Sequence, residues 1–378
     1  MDFTAINVFT ILFYSCCLFF LIQLFYFLFI FFRVAFYKGK KSSHAGQIQP
    51  ISVIIAARSE AHNLVNFLPY VFEQSYPEFE VVVVNDRSWD DTKEILKAFM
   101  QKYPNLHVVT IEEGNHKSPG KKMALTLGIK GAKYDRVVVT DADCRPLSKN
   151  WLQEINAAFS EGQYTEIVLG YSPFRKEKGF LNQLIRYDGL WVAIQYLGFA
   201  RAGMPYMGVG RNMAYKKDLF FKVGGFKKHY HLTSGDDDLF VNETARRNNT
   251  KICITPDSHV ETLPKTSFEH WMHQKKRHFT TAPMYRFSHR LLLFLWPFSL
   301  CCFYGLATAL LVLNKFVLII LILLAVRTLL LIVTFTRAGK WLGNKDLVWL
   351  AWFFELIFLF IYPVFYLSGR KKQNDKWS

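Results

Sequence analysis

Residues 136–144 read "RVVVTDADC". Three valines and a threonine in a row, bounded by charge, have the signature of a short buried strand. Asp141 and Asp143 follow at the point where that strand runs out. In extended backbone, side chains two residues apart leave the same face, so both carboxylates are expected to meet at one spot. Like charges held that close repel unless a proton or a cation lies between them. A divalent metal is the natural partner, and the rest of the chain must say what that metal holds.

The same signature recurs on either side. "ISVIIAA" (51–57), "EVVVVN" (80–85) and "LHVVTI" (106–111) precede it, and "EIVLGY" (166–171) follows. Between the earlier runs lie "AHNLVNFLPYVFEQ" and "DDTKEILKAFMQKY", which suit helices. Strands alternating with helices at this spacing predict an α/β domain, a mostly parallel sheet with both faces covered. Such sheets bind ligands beyond the carboxyl ends of their strands. The informative residues should therefore follow each run, and they do: "ARSE" after the first, "NDRSWDDT" after the second, "DADC" after the fourth.

Two further segments carry chemistry. "SGDDDLF" (234–240) places three carboxylates before a helix expected over "LFVNETARRN". Its plainer reading is an acidic helix start, which the helix dipole favours. "GNHKSPGKK" (114–122) imitates a phosphate-binding P-loop, but five residues separate Gly114 from Gly120 and Lys122 stands where Ser or Thr should follow the lysine. A P-loop is excluded on that spacing, although Lys121 can still lie near phosphate.

The 378-residue chain is 51% hydrophobic and 17% aromatic, and the surplus is unevenly spread. Residues 7–36 contain only Arg33 as a charge, and further apolar runs occupy 291–312, 316–335 and 347–367. The first run exceeds the roughly 20 residues needed to cross a bilayer. It lacks the basic start and short apolar core of a signal peptide. Arg33, Lys38, Lys40 and Lys41 follow it, which places the next segment in the cytoplasm. The expected organisation is a membrane anchor (1–37), a linker (38–50), a nucleotide-binding half (51–143) and an acceptor-binding half (144–265). An interfacial amphipathic segment (266–290), about three C-terminal membrane helices (291–368) and a basic tail (369–378) complete it.

Four spans would leave that basic tail outside, unless one segment does not fully cross. Arg327 and Glu355 lie inside apolar runs and are expected to pair across neighbouring helices. "SFEHWMHQKKRHF" (267–279) is expected to lie along the interface, with Phe268, Trp271 and Met272 against lipid. Of six cysteines, four sit in apolar runs, and Cys144 and Cys253 have no metal-site spacing, so no disulfide framework is indicated. The net charge of +16 clusters near the membrane borders, where anionic headgroups can meet it. No nucleic-acid motif accompanies it, and the histidines form no ligand set.

In their order over roughly 51–280, these motifs resemble the family 2 glycosyltransferases of the GT-A fold. The likeness is to the membrane-bound branch that includes cellulose and hyaluronan synthases and ceramide glucosyltransferases. That branch ends its domain with a Q-x-x-R-W element, which here reads Gln274-Lys275-Lys276-Arg277-His278, with His278 in place of Trp. The resemblance implies that Asp86 contacts the nucleotide base, that Arg58 and Glu60 line the nucleotide pocket and that Lys121 approaches the diphosphate. It implies that Asp141 and Asp143 hold ribose and Mg2+ or Mn2+, and that Gln274 and Arg277 clamp the departing diphosphate. Asp236 aligns with the catalytic base, with Asp237 and Asp238 as alternates because Gly235 stands where Glu is common. His278 falls near the acceptor.

The expected reaction is an inverting transfer from a nucleotide sugar, with UDP the favoured nucleotide, to a lipid at the cytoplasmic face of a cell's inner membrane. Extension of a glycan by a polysaccharide synthase is the alternative acceptor chemistry. A membrane-bound nucleotidyltransferase is a more distant reading, and a non-catalytic nucleotide-sugar-binding protein is another.

Overall fold

The structure is a computed structural model in which residues 8–39, 47–112, 120–232 and 234–369 are described. Its centre is a seven-stranded sheet. The strands are β1 (Ile51–Ala57), β2 (Phe79–Asp86), β3 (Leu106–Ile111) and β4 (Arg136–Asp141), then β5 (Cys144–Pro146), β6 (Ile167–Gly170), β7 (Met213–Lys216), β8 (Thr250–Cys253) and β9 (Val260–Thr262). The sheet order is β3-β2-β1-β4-β7-β6-β8, and β5 pairs with β9 in a separate ribbon. Strands β1 to β4 run parallel, and only β7 runs against its neighbours. Every residue of β1 is buried. Helices cover both faces, so continuous apolar runs, rather than alternating ones, fill the central strands. The α/β fold class expected from the strand–helix alternation is observed, and a single sheet takes strands from both expected halves of the domain.

Among the described residues, three helices are long and apolar enough to cross a membrane: Val8–Ala35, Phe287–Val312 and Val317–Leu342. A further helix, Phe180–Arg201, joins them to the sheet domain. Its Trp191 packs on Phe31, Trp296 and Phe335 at ring separations of 4.9, 5.6 and 5.8 Å. At Gly198 a Cβ would stand 2.7 Å from the Ile30 carbonyl oxygen, so only glycine lets the first membrane helix approach this closely. That approach falls in a π-helical turn, Phe27–Phe31.

The expected intramembrane pair is present. Arg327 donates from both terminal nitrogens to Glu355 at 2.6 and 2.7 Å, and Gln23 and the Tyr304 hydroxyl join at 3.2 and 2.9 Å. Four helices thus share one polar cluster, which satisfies charges that lipid could not solvate.

The helix expected over 267–279 forms as Phe268–Phe279, but its expected orientation needs correction. Trp271 is buried, with its ring edge-on to Phe358 and Phe365 at 6.1 and 5.5 Å. Met272 is likewise partly buried against the same core, and of the three residues Phe268 alone is well exposed. The apolar face of this helix is taken by another helix of the chain, Ala351–Gly369, rather than by lipid.

Candidate active site

The parallel register brings the marked residues to one edge of the sheet. Ala56 pairs with Asp141, and Ala57 pairs with Asn85, one residue before Asp86. Asp141 ends β4, Ala142 and Asp143 form a turn, and Cys144 opens β5, which pairs with Thr262. The two carboxylates therefore meet through a turn pinned by the β5–β9 ribbon, not through the strand pleat expected from the sequence. Ligand atoms of Asp141, Asp143 and Cys144 all lie within 4.8 Å of one another. Burial, and then the Asp141 charge, push the Asp143 carboxyl above its ordinary range. The Cys144 thiol donates to Asp143 Oδ1 at 3.2 Å. Two hard carboxylates open to further oxygen ligands suit Mg2+ or Mn2+, which takes its remaining ligands from phosphate and water.

Beside this pair is a pocket at the ends of β1 and β2. Ser59 and Arg87, the residues that carry the chain out of these strands, have φ of 55° and 52°, a left-handed conformation unusual for non-glycine residues. Such strain persists where the surroundings impose it and clusters at functional sites. Asp86 is fully buried; its Oδ1 accepts from Arg87 Nε at 2.7 Å and forms an ion pair with Arg87 Nη2, 2.6 Å away. Its Oδ2 and the Asn85 Oδ1 are buried without a hydrogen-bond partner. Acceptors left this way are costly unless a ligand donor completes them. The Arg58 guanidinium lies 5.3 Å from the centre of the exposed Trp89 ring. Glu60 accepts from Asn63 at 2.6 Å. Burial raises its carboxyl, with Asp143 and Asp141 adding to the effect.

Lys121 begins the helix Lys121–Gly131 and ties the site together. Its ammonium lies 2.6 Å from Asp141 Oδ1 and 3.4 Å from Asp236 Oδ2. Asp141 of the expected metal-binding pair and the expected base thus share one cation. Burial raises the Asp236 carboxyl, but Lys121, a backbone hydrogen bond and Lys122 outweigh it and hold the group below its ordinary range.

The two neighbouring acids are differently employed. Asp237 caps the helix Asp238–Thr244, accepting from the Asp238 N–H and the Gly210 N–H at 2.8 Å each. Burial and the charges of Asp236 and Asp238 push it up to about 7. Asp238 accepts from Thr281 Oγ1 and from the Tyr285 hydroxyl, the latter at 2.7 Å. Gly235 has φ of +100°, and a Cβ there would stand 2.6 Å from Leu239 Cδ1, so a glutamate does not fit this loop.

Several contributors were invisible in the sequence. Lys122 turns away from the cleft and donates to the carbonyls of His229, Leu232 and Ser234 at 2.6, 3.0 and 2.6 Å. It thereby holds the loop that leads into Asp236. Thr281 and Tyr285 fix the same loop from the other side, just beyond the Gln274–His278 element. Arg277 presents a buried Nε without a partner, and Gln274 is half-buried on the same helix. His278 is exposed, yet desolvation and then Arg277, Lys275, Arg211 and Lys121 hold its imidazole well below the usual range. Lys275 pairs with Asp188 at 2.6 Å, which anchors the element to the Phe180–Arg201 helix.

The arrangement (a mostly parallel sheet, an acid pair in a turn after the fourth strand, a second acidic loop and a basic helix packed on an apolar one) defines a GT-A glycosyltransferase with helices long and apolar enough to cross a membrane. Residues 16–370 match glycosyl transferase family 21, and the chain belongs to that family. The GT-A glycosyltransferase class expected from motif order therefore stands, and family 21 is the family matched. Among curated proteins, the glycosyltransferase AglE of Haloferax volcanii is 31% identical over 195 residues, 50% of this chain and 58% of that protein. The poly-beta-1,6-N-acetyl-D-glucosamine synthase of Staphylococcus epidermidis is 36% identical over 103 residues, 27% of this chain and 24% of the synthase. The chain thus spans less than two thirds of the length of these relatives. The fold is shared with the mannosyltransferase PcManGT of Pyrobaculum calidifontis, solved with GDP-Man and Mn2+, at a TM-score of 0.60 and 19% identity. That likeness covers 97% of this chain and all of the other.

Proposed function

We propose that the protein transfers a sugar from a nucleotide sugar, with UDP the favoured nucleotide, to a lipid hydroxyl at the cytoplasmic membrane face, with inversion at the anomeric carbon. The observation that carries this reading is the Lys121 ammonium shared by Asp141 and Asp236. It puts the diphosphate end and the proton-accepting end of a displacement within one side chain of each other. The unpaired Asp86 Oδ2 and Asn85 Oδ1 suit the donor N–H of a nucleobase, and Arg277 suits bidentate contact with a phosphate.

A divalent cation held by Asp141 and Asp143 supplies charge neutralisation at the departing diphosphate. Lys121 adds a second positive charge there. When Lys121 turns to the diphosphate it leaves Asp236, and the cation that depresses that carboxyl is withdrawn. Asp236 then accepts the proton of the attacking hydroxyl. Asp237 and Asp238 are committed to backbone N–H groups and to Thr281 and Tyr285, which makes Asp236 the best placed of the three.

The apolar helices beside the Gln274–His278 element favour a lipid acceptor, since such a substrate reaches the site without leaving the membrane. Similarity to a polysaccharide synthase favours a growing glycan as the second reading, although it covers 24% of that enzyme. The test is a screen of detergent-purified protein against UDP- and GDP-sugars, with and without membrane lipid extract. Nucleoside diphosphate release that rises on adding lipid is expected. Release of pyrophosphate would identify a nucleotidyltransferase and overturn the proposal.

A further inference from the structure

The apolar helix Ala351–Gly369 has the composition of a membrane span, and near its start Glu355 pairs with Arg327, but the rest of its packed face meets segments of the catalytic side. Just before it, Asp346 and Asn344 take the guanidinium of Arg186, at 2.7–2.9 Å for Asp346 and 2.6–3.0 Å for Asn344. Phe354 and Phe358 pack on Tyr187 at 5.2 and 5.5 Å, and the Tyr362 hydroxyl donates to Asp188 at 2.8 Å. Three consecutive residues of one helix, Arg186 to Asp188, therefore receive the chain from Asn344 to Tyr362. Farther along, Phe365 meets Trp271, and Phe279 packs on both Tyr362 and Phe365. Phe279 lies two residues before Thr281, which bonds Asp238 of the acidic loop.

Between Ala351 and Phe365 a helix rises about 21 Å. Had it crossed the bilayer from the catalytic side, Phe365 would sit deep in a hydrocarbon layer about 30 Å thick. The packed helix Phe268–Phe279 would then have to follow, with Lys275, Lys276 and Arg277 beside the contacts. That helix is instead tied to the catalytic side: Lys275 pairs with Asp188 at 2.6 Å, and Thr281, just beyond its end, bonds Asp238. Trp349, Trp352, Phe353, Phe360 and Val364 form the exposed stripe on the opposite side. Tryptophan is typical of the membrane–water boundary.

We propose that Ala351–Gly369 does not span the membrane but lies in the leaflet nearest the catalytic domain, its Trp349–Val364 stripe in lipid. Gly369, at its end, then faces the catalytic side. Among the described residues three crossings then replace the four expected, and Gly369 ends on the same side as Arg33 and Lys38 at the close of the first helix, where positive charges prefer to lie. The lipid bilayer is the partner of the stripe, and the helix is a floor beneath the Gln274–His278 element.

The experiment uses the full chain with an epitope appended after Ser378, in sealed membrane vesicles of both orientations. Protease is added from outside, and the catalytic domain and the epitope are followed separately on blots. The epitope is expected to be lost wherever the catalytic domain is digested and to survive wherever that domain is protected. An epitope that survives digestion of the catalytic domain, and is lost in the opposite orientation, would overturn the proposal. A tagged protein that still elutes as a single species in detergent shows that the tag has not disturbed the fold.

Discussion

Replacing Lys122 by Met removes one ammonium and keeps most of the aliphatic stem, so the effect isolates the cage of three carbonyls. Each hydrogen bond from a charged donor contributes roughly 1.5–3 kcal/mol. Against their sum stands the desolvation of a buried ammonium, an effective penalty of several kcal/mol that the variant no longer bears. The net loss is about 2–4 kcal/mol, and it falls on the loop from His229 to Ser234 rather than on the sheet. Displacing Asp236 by that free energy corresponds to a rate loss of roughly 30- to 1,000-fold. The assay pairs turnover, read as nucleoside diphosphate release, with the affinity for UDP in the presence of Mn2+. Lys122→Met is expected to lose turnover while its UDP affinity stays within about threefold, because Asp86, Asp141 and Asp143 lie on other loops. Full turnover in a folded Lys122→Met protein would refute the positioning role.

Other expectations test separate links. Asp143→Ala should abolish the gain in UDP affinity that Mn2+ confers on the parent protein, measured by titration calorimetry; an unchanged gain would remove Asp143 from the metal site. Arg327→Met and Glu355→Gln should each destabilise the protein by about 3–5 kcal/mol, because each leaves a buried polar partner uncompensated. The double variant should lose less than the sum of the two, read from thermal midpoints in detergent. Burial, reinforced by the charge of Lys122, lowers His229 from 6.5 to about 4. The folded protein thus takes up this proton later than the unfolded chain, and stability is lost as pH falls from 6.5 through about 4, by up to roughly 3 kcal/mol. His229→Leu should flatten that part of the pH profile.

The legible part of the fold was the part whose pattern is local. Strands β1 to β4 are buried on both faces, so they appear as unbroken apolar runs, and the acids that follow them stand out. Strands β7, β8 and β9 are three or four residues long and give no period to detect. The Phe180–Arg201 helix escaped because it is surrounded by protein and carries Arg186 and Asp188 inward, where their partners come from distant segments. In the site, Asp86, Asp141, Asp143 and Asp236 were visible as carboxylates after apolar strands or before a helix. Lys122 was not, since its role depends on carbonyls more than a hundred residues away. Its identity excluded a P-loop without saying what it does. Trp271 misled because an amphipathic helix looks the same whether lipid or another helix of the chain covers its apolar face.

The division of labour between Asp141–Asp143 and Asp236 is tested most directly on Asp236→Asn. This exchange keeps shape and removes the charge that would accept the proton. Titration with UDP and Mn2+ should give an affinity equal to or tighter than the parent's, because the competing hold on Lys121 is weakened, while sugar transfer to lipid falls by at least about a thousandfold. Near-parental transfer by Asp236→Asn would contradict the account.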